Sequence, residues 1–106
     1  MNLVFREVDR ARFEEVHSGA KQIETRAATP KYRSVKVGDT LTFSCGSDTF
    51  TKKVGRIYHW AGPEAMLKEV ELKRVMPDLD TIEQVKSRYA SYPGAITAFL
   101  QMIVGF

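Results

Sequence analysis

The sequence predicts an α+β domain: a small β-barrel of roughly five or six strands flanked by helices. Three observations point there. Short β-prone runs bounded by Gly, Asp and Ser turns recur along the chain. Helical periodicity is confined to a few segments that do not alternate regularly with strands, which argues against a doubly wound sheet. So many short strands in 106 residues favour closure or strong curling, since closure removes exposed edges. The length fits a single domain spanning 1–106, able to bury ~65% of its unfolded surface.

Taken in order, Leu3, Val4 and Phe5 lie in a first strand from Asn2 to Arg6. Asp9 is predicted to cap a helix over 10–18, with Val8 stapled onto Phe13 and with Phe13 and Val16 facing inward. Gly19 sits where a left-handed C-cap is expected, and His17 near that end suits the helix dipole. Lys21–Arg26 reads as the second strand, with Glu24 and Arg26 on one face and Ile23 and Thr25 on the other. Residues 27–33 contain Pro30 and read as a loop or helical turn. Within Val35–Phe43, Gly38-Asp39 is a turn signal before a strand with Leu41 and Phe43 facing one way, and 45–48 reads as a hairpin turn. Phe50–Trp60 is a long strand in which Gly55 marks a bulge or a sharp bend. Pro63 opens a short helix, and Leu72, Val75 and Met76 form a second apolar turn stopped by Pro77. Thr81 and Gln84 form a capping box before a helix that buries Ile82, Val85 and Tyr89. Pro93-Gly94 ends that helix, and Ile96–Val104 reads as the closing strand.

The net charge of +3 permits an anionic partner without requiring one. It is unevenly spread: residues 19–39 carry +3 and residues 64–86 carry −2. The lone Cys45 allows no intramolecular disulfide and fits a reducing compartment. No secretory leader and no apolar run near the ~20 residues of a membrane span is visible, so a cytoplasmic protein without membrane contact is expected.

Phosphate-binding loops, dinucleotide glycine patterns and metal-spaced Cys or His pairs are absent from the sequence, so neither a cofactor nor a metal is expected. The chemistry concentrates in Gly19-Ala-Lys21-Gln-Ile-Glu24-Thr-Arg26. Lys21 beside a carboxylate can hold an anion as a cation, or, if desolvated, act as a base or nucleophile. The plainer reading is that Lys21 is an exposed surface cation and that Glu24 and Arg26 form a pair that merely stabilises the fold. Lys31, Tyr32 and Arg33 form a basic-aromatic cluster, and Lys52, Lys53 and Arg56 add charge on the long strand. Tyr58, His59, Trp60, Tyr89 and Tyr92 supply rings that can approach this basic half. Cations combined with stacking rings suit single-stranded nucleic acid or a nucleotide.

The Gly-x-Lys-x-x-Glu-x-Arg stretch, the following Gly38-Asp39 before Leu41 and Phe43, the Met76-Pro77 turn and the Tyr92-Pro93 pair together resemble the ASCH domain family of the PUA-like superfamily, most closely its small stand-alone members. The resemblance covers nearly the whole chain. It implies a small barrel with helices, a cleft between them, and a role in binding RNA or nucleotides, with Lys21, Glu24 and Arg26 at the matching cleft positions. One branch of the family hydrolyses N4-acetylcytidine with a lysine, a threonine and a glutamate. Lys21 matches that lysine, but Glu24 occupies the threonine position, Thr25 falls on the opposite strand face, and the second glutamate has no clear counterpart.

The leading expectation is therefore an RNA- or nucleotide-binding domain, a monomer or weak dimer. Its site draws on Lys21, Glu24, Arg26, Tyr32, Arg33, Lys53, Tyr58, Trp60 and Tyr92. The alternative is a small hydrolase of acylated cytidine or RNA, with Lys21 as base or nucleophile and Glu24 assisting it. A protein-interaction adaptor with an inert cleft is the third reading.

Overall fold

A computed structural model describes residues 1–27, 29–91 and 100–105. The strands are β1 (Asn2–Phe5), β2 (Ile23–Ala27), β3 (Thr40–Cys45), β4 (Asp48–Trp60) and β5 (Leu100–Gly105). The helices are α1 (Arg10–Ser18), α2 (Pro30–Arg33), α3 (Pro63–Leu67), α4 (Leu72–Val75) and α5 (Ile82–Ser91), with a single 3-10 turn at Glu7–Asp9. The fold is thus α+β. The strands pair in the order β1-β3-β4-β5-β2, with β1 parallel to β3 and the other ladders antiparallel. No ladder joins β1 to β2 among the described residues, so the sheet is mixed and open rather than a closed barrel. No described helix is long and apolar enough to cross a membrane.

β4 organises the sheet because it serves both halves. Its first half, from Asp48 to Lys53, pairs with β3, and its second half pairs with β5. The register shifts between Val54 and Arg56, across Gly55, as the glycine in the strand suggests. Two apolar clusters follow from this bend. Leu3, Phe5, Phe13, Leu41, Phe43 and Val54 belong to the first, where Phe43 stacks on Phe50 at 4.9 Å. Ile23, Trp60, Met66, Val75, Val85 and Tyr89 belong to the second, beneath α3, α4 and α5.

Local chemistry explains most element ends. Gly19 closes α1 at φ 86, a left-handed conformation that disfavours any residue with a Cβ, and its N–H donates to the Val16 carbonyl. Gly46 at φ 60 opens the two-residue turn between Cys45 and Asp48. Thr81 and Gln84 cap α5 reciprocally: the Gln84 N–H donates to Thr81 Oγ1 at 3.2 Å and the Thr81 N–H to Gln84 Oε1 at 3.1 Å.

Three local expectations are corrected. Asp9 stands at the N-cap position of α1, as expected, but its carboxylate makes no capping bond: it ends the preceding 3-10 turn and accepts from Arg6 Nε at 2.7 Å. Val8 is 78% exposed and staples nothing, because that turn swings it away from Phe13. β2 starts at Ile23 rather than Lys21, since the N–H groups of Lys21 and Gln22 donate to the carbonyls of Glu15 and Arg74 instead of to a strand. Tyr92 and the Pro93-Gly94 helix end lie outside the described residues.

Candidate functional site around β2

Gly19 turns the chain out of α1 and delivers Lys21 to the interior, where it is 3% exposed. Its Nζ donates to the carbonyl of Val75, at the end of α4. Burial pushes the amine below its ordinary pKa, and the Glu24 and Glu15 carboxylates oppose that shift. The expectation of a surface cation is therefore corrected: α4 seals Lys21 and gives its donor a backbone partner.

Glu24 is 6% exposed. Its Oε1 accepts from the Thr25 N–H at 3.0 Å, while its Oε2 lies 4.0 Å from Arg26 Nη2 and has no hydrogen-bond partner. Arg26 Nε is likewise buried without a partner. The Arg26 guanidinium lies 5.1 Å over the Phe5 ring, and its side chain is 26% exposed. A carboxylate oxygen and a guanidinium N–H are thus both withheld from water and both unsatisfied. Each such group costs about 1–3 kcal/mol.

The other face of β2 does something different. Thr25 is buried and shares a 2.8 Å hydrogen bond with the Tyr89 hydroxyl of α5, a pairing of residues 64 positions apart that β2's own sequence does not announce. The ladders place the ring residues relative to these two faces. Glu24 and Ile57 both pair with Ile103, and Arg26 and His59 both pair with Gln101. Thr25 and Tyr58 both pair with Met102. Paired residues share a face, so exposed His59 stands on the Glu24–Arg26 side and Tyr58 on the opposite side. The expectation that Tyr58 and Trp60 border the Lys21–Glu24–Arg26 cleft is corrected on this ground.

Trp60 is not an open platform. It is 6% exposed, stacks on Tyr58 at 4.9 Å, and donates from Nε1 to Glu69 Oε2 at 2.5 Å. Arg56 completes a row with them along β4, its guanidinium 5.8 Å from the Tyr58 ring and its Nη1 donating to the Tyr58 hydroxyl at 2.8 Å. A surface pocket of about 580 Å³ opens beside Trp60, Pro63, Lys68 and Glu69; Lys21, Glu24 and Arg26 do not line it. Tyr32 is half-buried against the first apolar cluster, whereas Arg33 and Lys53 are exposed. Among the described residues no group of three His, Cys, Asp or Glu side chains is arranged to hold a metal ion.

An ionic network braces the site. Arg88 makes two hydrogen bonds to Asp78, at 2.7 and 2.6 Å; Arg12 approaches the same carboxylate at 3.3 Å and also pairs with Glu15, whose carbonyl receives the Lys21 N–H. The Arg88 hydrogen bonds hold the Asp78 carboxyl down at about 2. Its pKa is depressed in the folded state, so its contribution is present above the unfolded value near 3.9 and is lost as pH falls toward 2. Asp78→Asn is expected to destabilise the fold by about 1–2 kcal/mol at pH 7, after allowance for partial solvation, and the difference from wild type should shrink as pH falls through about 2 and vanish only below it. Urea unfolding across that range measures it.

No family model and no curated protein matches this chain. Among solved structures, the crystal structure of hypothetical protein PH0355 resembles it with a TM-score of 0.79 at 22% identity, covering 100% of both chains. The solution structure of protein PF0455 from Pyrococcus furiosus resembles it with a TM-score of 0.66 at 23% identity, covering 99% of this chain and 96% of that one. At such identities the likeness shows the fold alone.

Proposed function

We propose that this chain is an ASCH-type, PUA-like domain that binds RNA or a nucleotide in the cytoplasm, using the Glu24–Arg26 side of β2. In that reading the ladder curls further toward a small barrel. The observation that carries the proposal is the unsatisfied pair, Glu24 Oε2 and Arg26 Nε. One is an acceptor and the other a donor, and they lie on one strand face. The edge of an unstacked nucleobase offers the matching amino donor beside a ring or carbonyl acceptor. The Arg26 side chain is 26% exposed at the margin of the buried pair, and exposed His59 stands on the same face, where it can approach a ribose or phosphate. Titration of the protein with nucleosides, nucleotides and short RNAs at low salt tests this. Arg26→Met is expected to weaken binding at least about tenfold, because it removes the donor half of the two-point contact that Glu24 and Arg26 offer the base edge, without altering the far-ultraviolet circular dichroism. Absence of any binding by the wild-type protein would end the reading.

A second reading, a small hydrolase of acylated cytidine or RNA, is favoured by one observation: burial biases the Lys21 amine toward its neutral, nucleophilic form beside Glu24. It requires the Lys21–Val75 hydrogen bond to open. Turnover that survives unchanged in Lys21→Ala would exclude it.

A further inference from the structure

The pocket of about 580 Å³ at the end of β4 lies apart from the Glu24–Arg26 side of β2. Trp60 follows Tyr58 by two positions on one strand, so it stands on the sheet face opposite Glu24 and Arg26. The volume falls within the ~300–1,000 Å³ usual for small-molecule sites. Trp60, Pro63 and Ala65 give the pocket apolar walls, and Glu64, Lys68 and Glu69 are its charged residues. Both carboxylates are engaged within the protein. Glu64 Oε1 accepts from Lys86 Nζ at 2.6 Å, and that hydrogen bond holds its carboxyl below the ordinary value. Glu69 Oε2 accepts the Trp60 indole N–H at 2.5 Å. Lys68 differs from both. It is exposed, acts on Glu64 only at longer range, and makes no ion pair with a described residue. What sets it apart from other exposed cations is its place on a pocket wall.

Gly62 adds a second observation. It lines the same pocket, its φ of 169 is ordinary extended backbone, and a Cβ built on it meets nothing within 4 Å. Neither the backbone nor the packing requires glycine there, and its lack of a side chain keeps space free beside the apolar walls. An apolar hollow with one unengaged ammonium fits an anion carried on an apolar body. The body loses its hydration against Trp60, Pro63 and Ala65, and the anionic oxygens accept from Lys68. One lysine balances one negative charge, and the Glu69 carboxylate in the same wall repels a second, which favours a carboxylate over a phosphate dianion. We propose that the pocket beside Trp60 binds a small organic monocarboxylate with a compact apolar body. This site goes beyond the nucleotide-binding reading and does not depend on it.

Trp60 is the single tryptophan, so its fluorescence reports on this pocket. The test is a fluorescence titration of the full chain at fixed ionic strength with 1-adamantanecarboxylate, the neutral 1-adamantanecarboxamide and 1-adamantanamine, each to about 10 mM, the affinity range of so small a probe. The carboxylate should saturate and bind at least about fivefold more tightly than the carboxamide, the worth of one charge-assisted contact at a partly solvated site. Lys68→Gln should abolish that preference, and Gly62→Leu should weaken the carboxylate at least about tenfold by occupying the space, with circular dichroism checking both folds. A nucleoside monophosphate should not displace the carboxylate. No saturable change with the carboxylate, equal binding of the carboxamide, tighter binding of the amine, or a preference that survives in Lys68→Gln overturns the proposal. So does unweakened binding by a folded Gly62→Leu, or displacement by the nucleotide, which would put both ligands in one site. If Gly62→Leu does not fold, Lys68→Gln decides. The first four failures leave the nucleotide-binding reading standing, since its own titration and Arg26→Met test it separately.

Discussion

Glu24→Leu is expected to destabilise the protein by about 3–5 kcal/mol, the range for removing one partner of a buried charge pair. Glu24 lies between two cationic groups: its carboxylate is 4.0 Å from Arg26 Nη2 and acts electrostatically on Lys21. Removing it leaves both with less negative charge to offset their desolvation. Lys21→Met should therefore recover much of the loss in the double variant, because an apolar chain of similar length fills the same space. Urea denaturation of the two single variants and the double variant measures the coupling, and additive effects would show that Glu24 does not offset the lysine charge. The same lysine makes a pH prediction. Its pKa is lowered from 10.5 on folding, so over the window below 10.5 the unfolded chain holds more protons than the folded one. Stability should then rise with pH through that window, by at most about 1.4 kcal/mol per pH unit, and Lys21→Met should remove the rise. A slope identical in wild type and variant would contradict the burial of the amine.

Trp60→Ala is expected to cost about 3–5 kcal/mol, the usual range for deleting a large buried aromatic ring. Trp60 joins the end of β4 to the second apolar cluster, stacks on Tyr58 and donates to Glu69. As the single tryptophan, it supplies a fluorescence signal in wild type, and circular dichroism serves for the variants. Trp60→Phe should keep most of the packing and lose roughly 1 kcal/mol for the missing hydrogen bond. RNA affinity in Trp60→Phe should stay within about twofold. A ring that stacked directly on a base would contribute about 1–3 kcal/mol to binding, so a large loss in this variant would place Trp60 in the ligand site instead.

Much of the fold was legible because its signals are local. The Thr81–Gln84 box, the left-handed Gly19, the Gly46 turn and the Gly55 bulge each depend on a few adjacent residues, and each does in the structure what its chemistry demands. Asp9 takes the N-cap position without a side-chain capping bond, because Arg6 three positions earlier competes for its carboxylate. Of the site, the residue types and the shared face of Glu24 and Arg26 were legible, since alternation along one strand is set by the strand itself. Tyr58 was misplaced because two strands far apart in sequence have no fixed phase until a third lies between them. Here β5 does that, pairing with both. The Thr25–Tyr89 hydrogen bond and the partner of Lys21, the carbonyl of Val75, depend on helices 50 or more residues downstream.

The amino-acid sequence alone determined that this is a small α+β chain with its ionisable groups gathered at residues 21–26 and its excess positive charge in the first half. Only the tertiary structure decided that Lys21 and Glu24 are buried, and that Glu24 Oε2 and Arg26 Nε are left unsatisfied. The physical reason is that spacing along the chain sets which side chains share a face, whereas desolvation is set by whatever packs over that face, and here the covering elements come from distant parts of the chain.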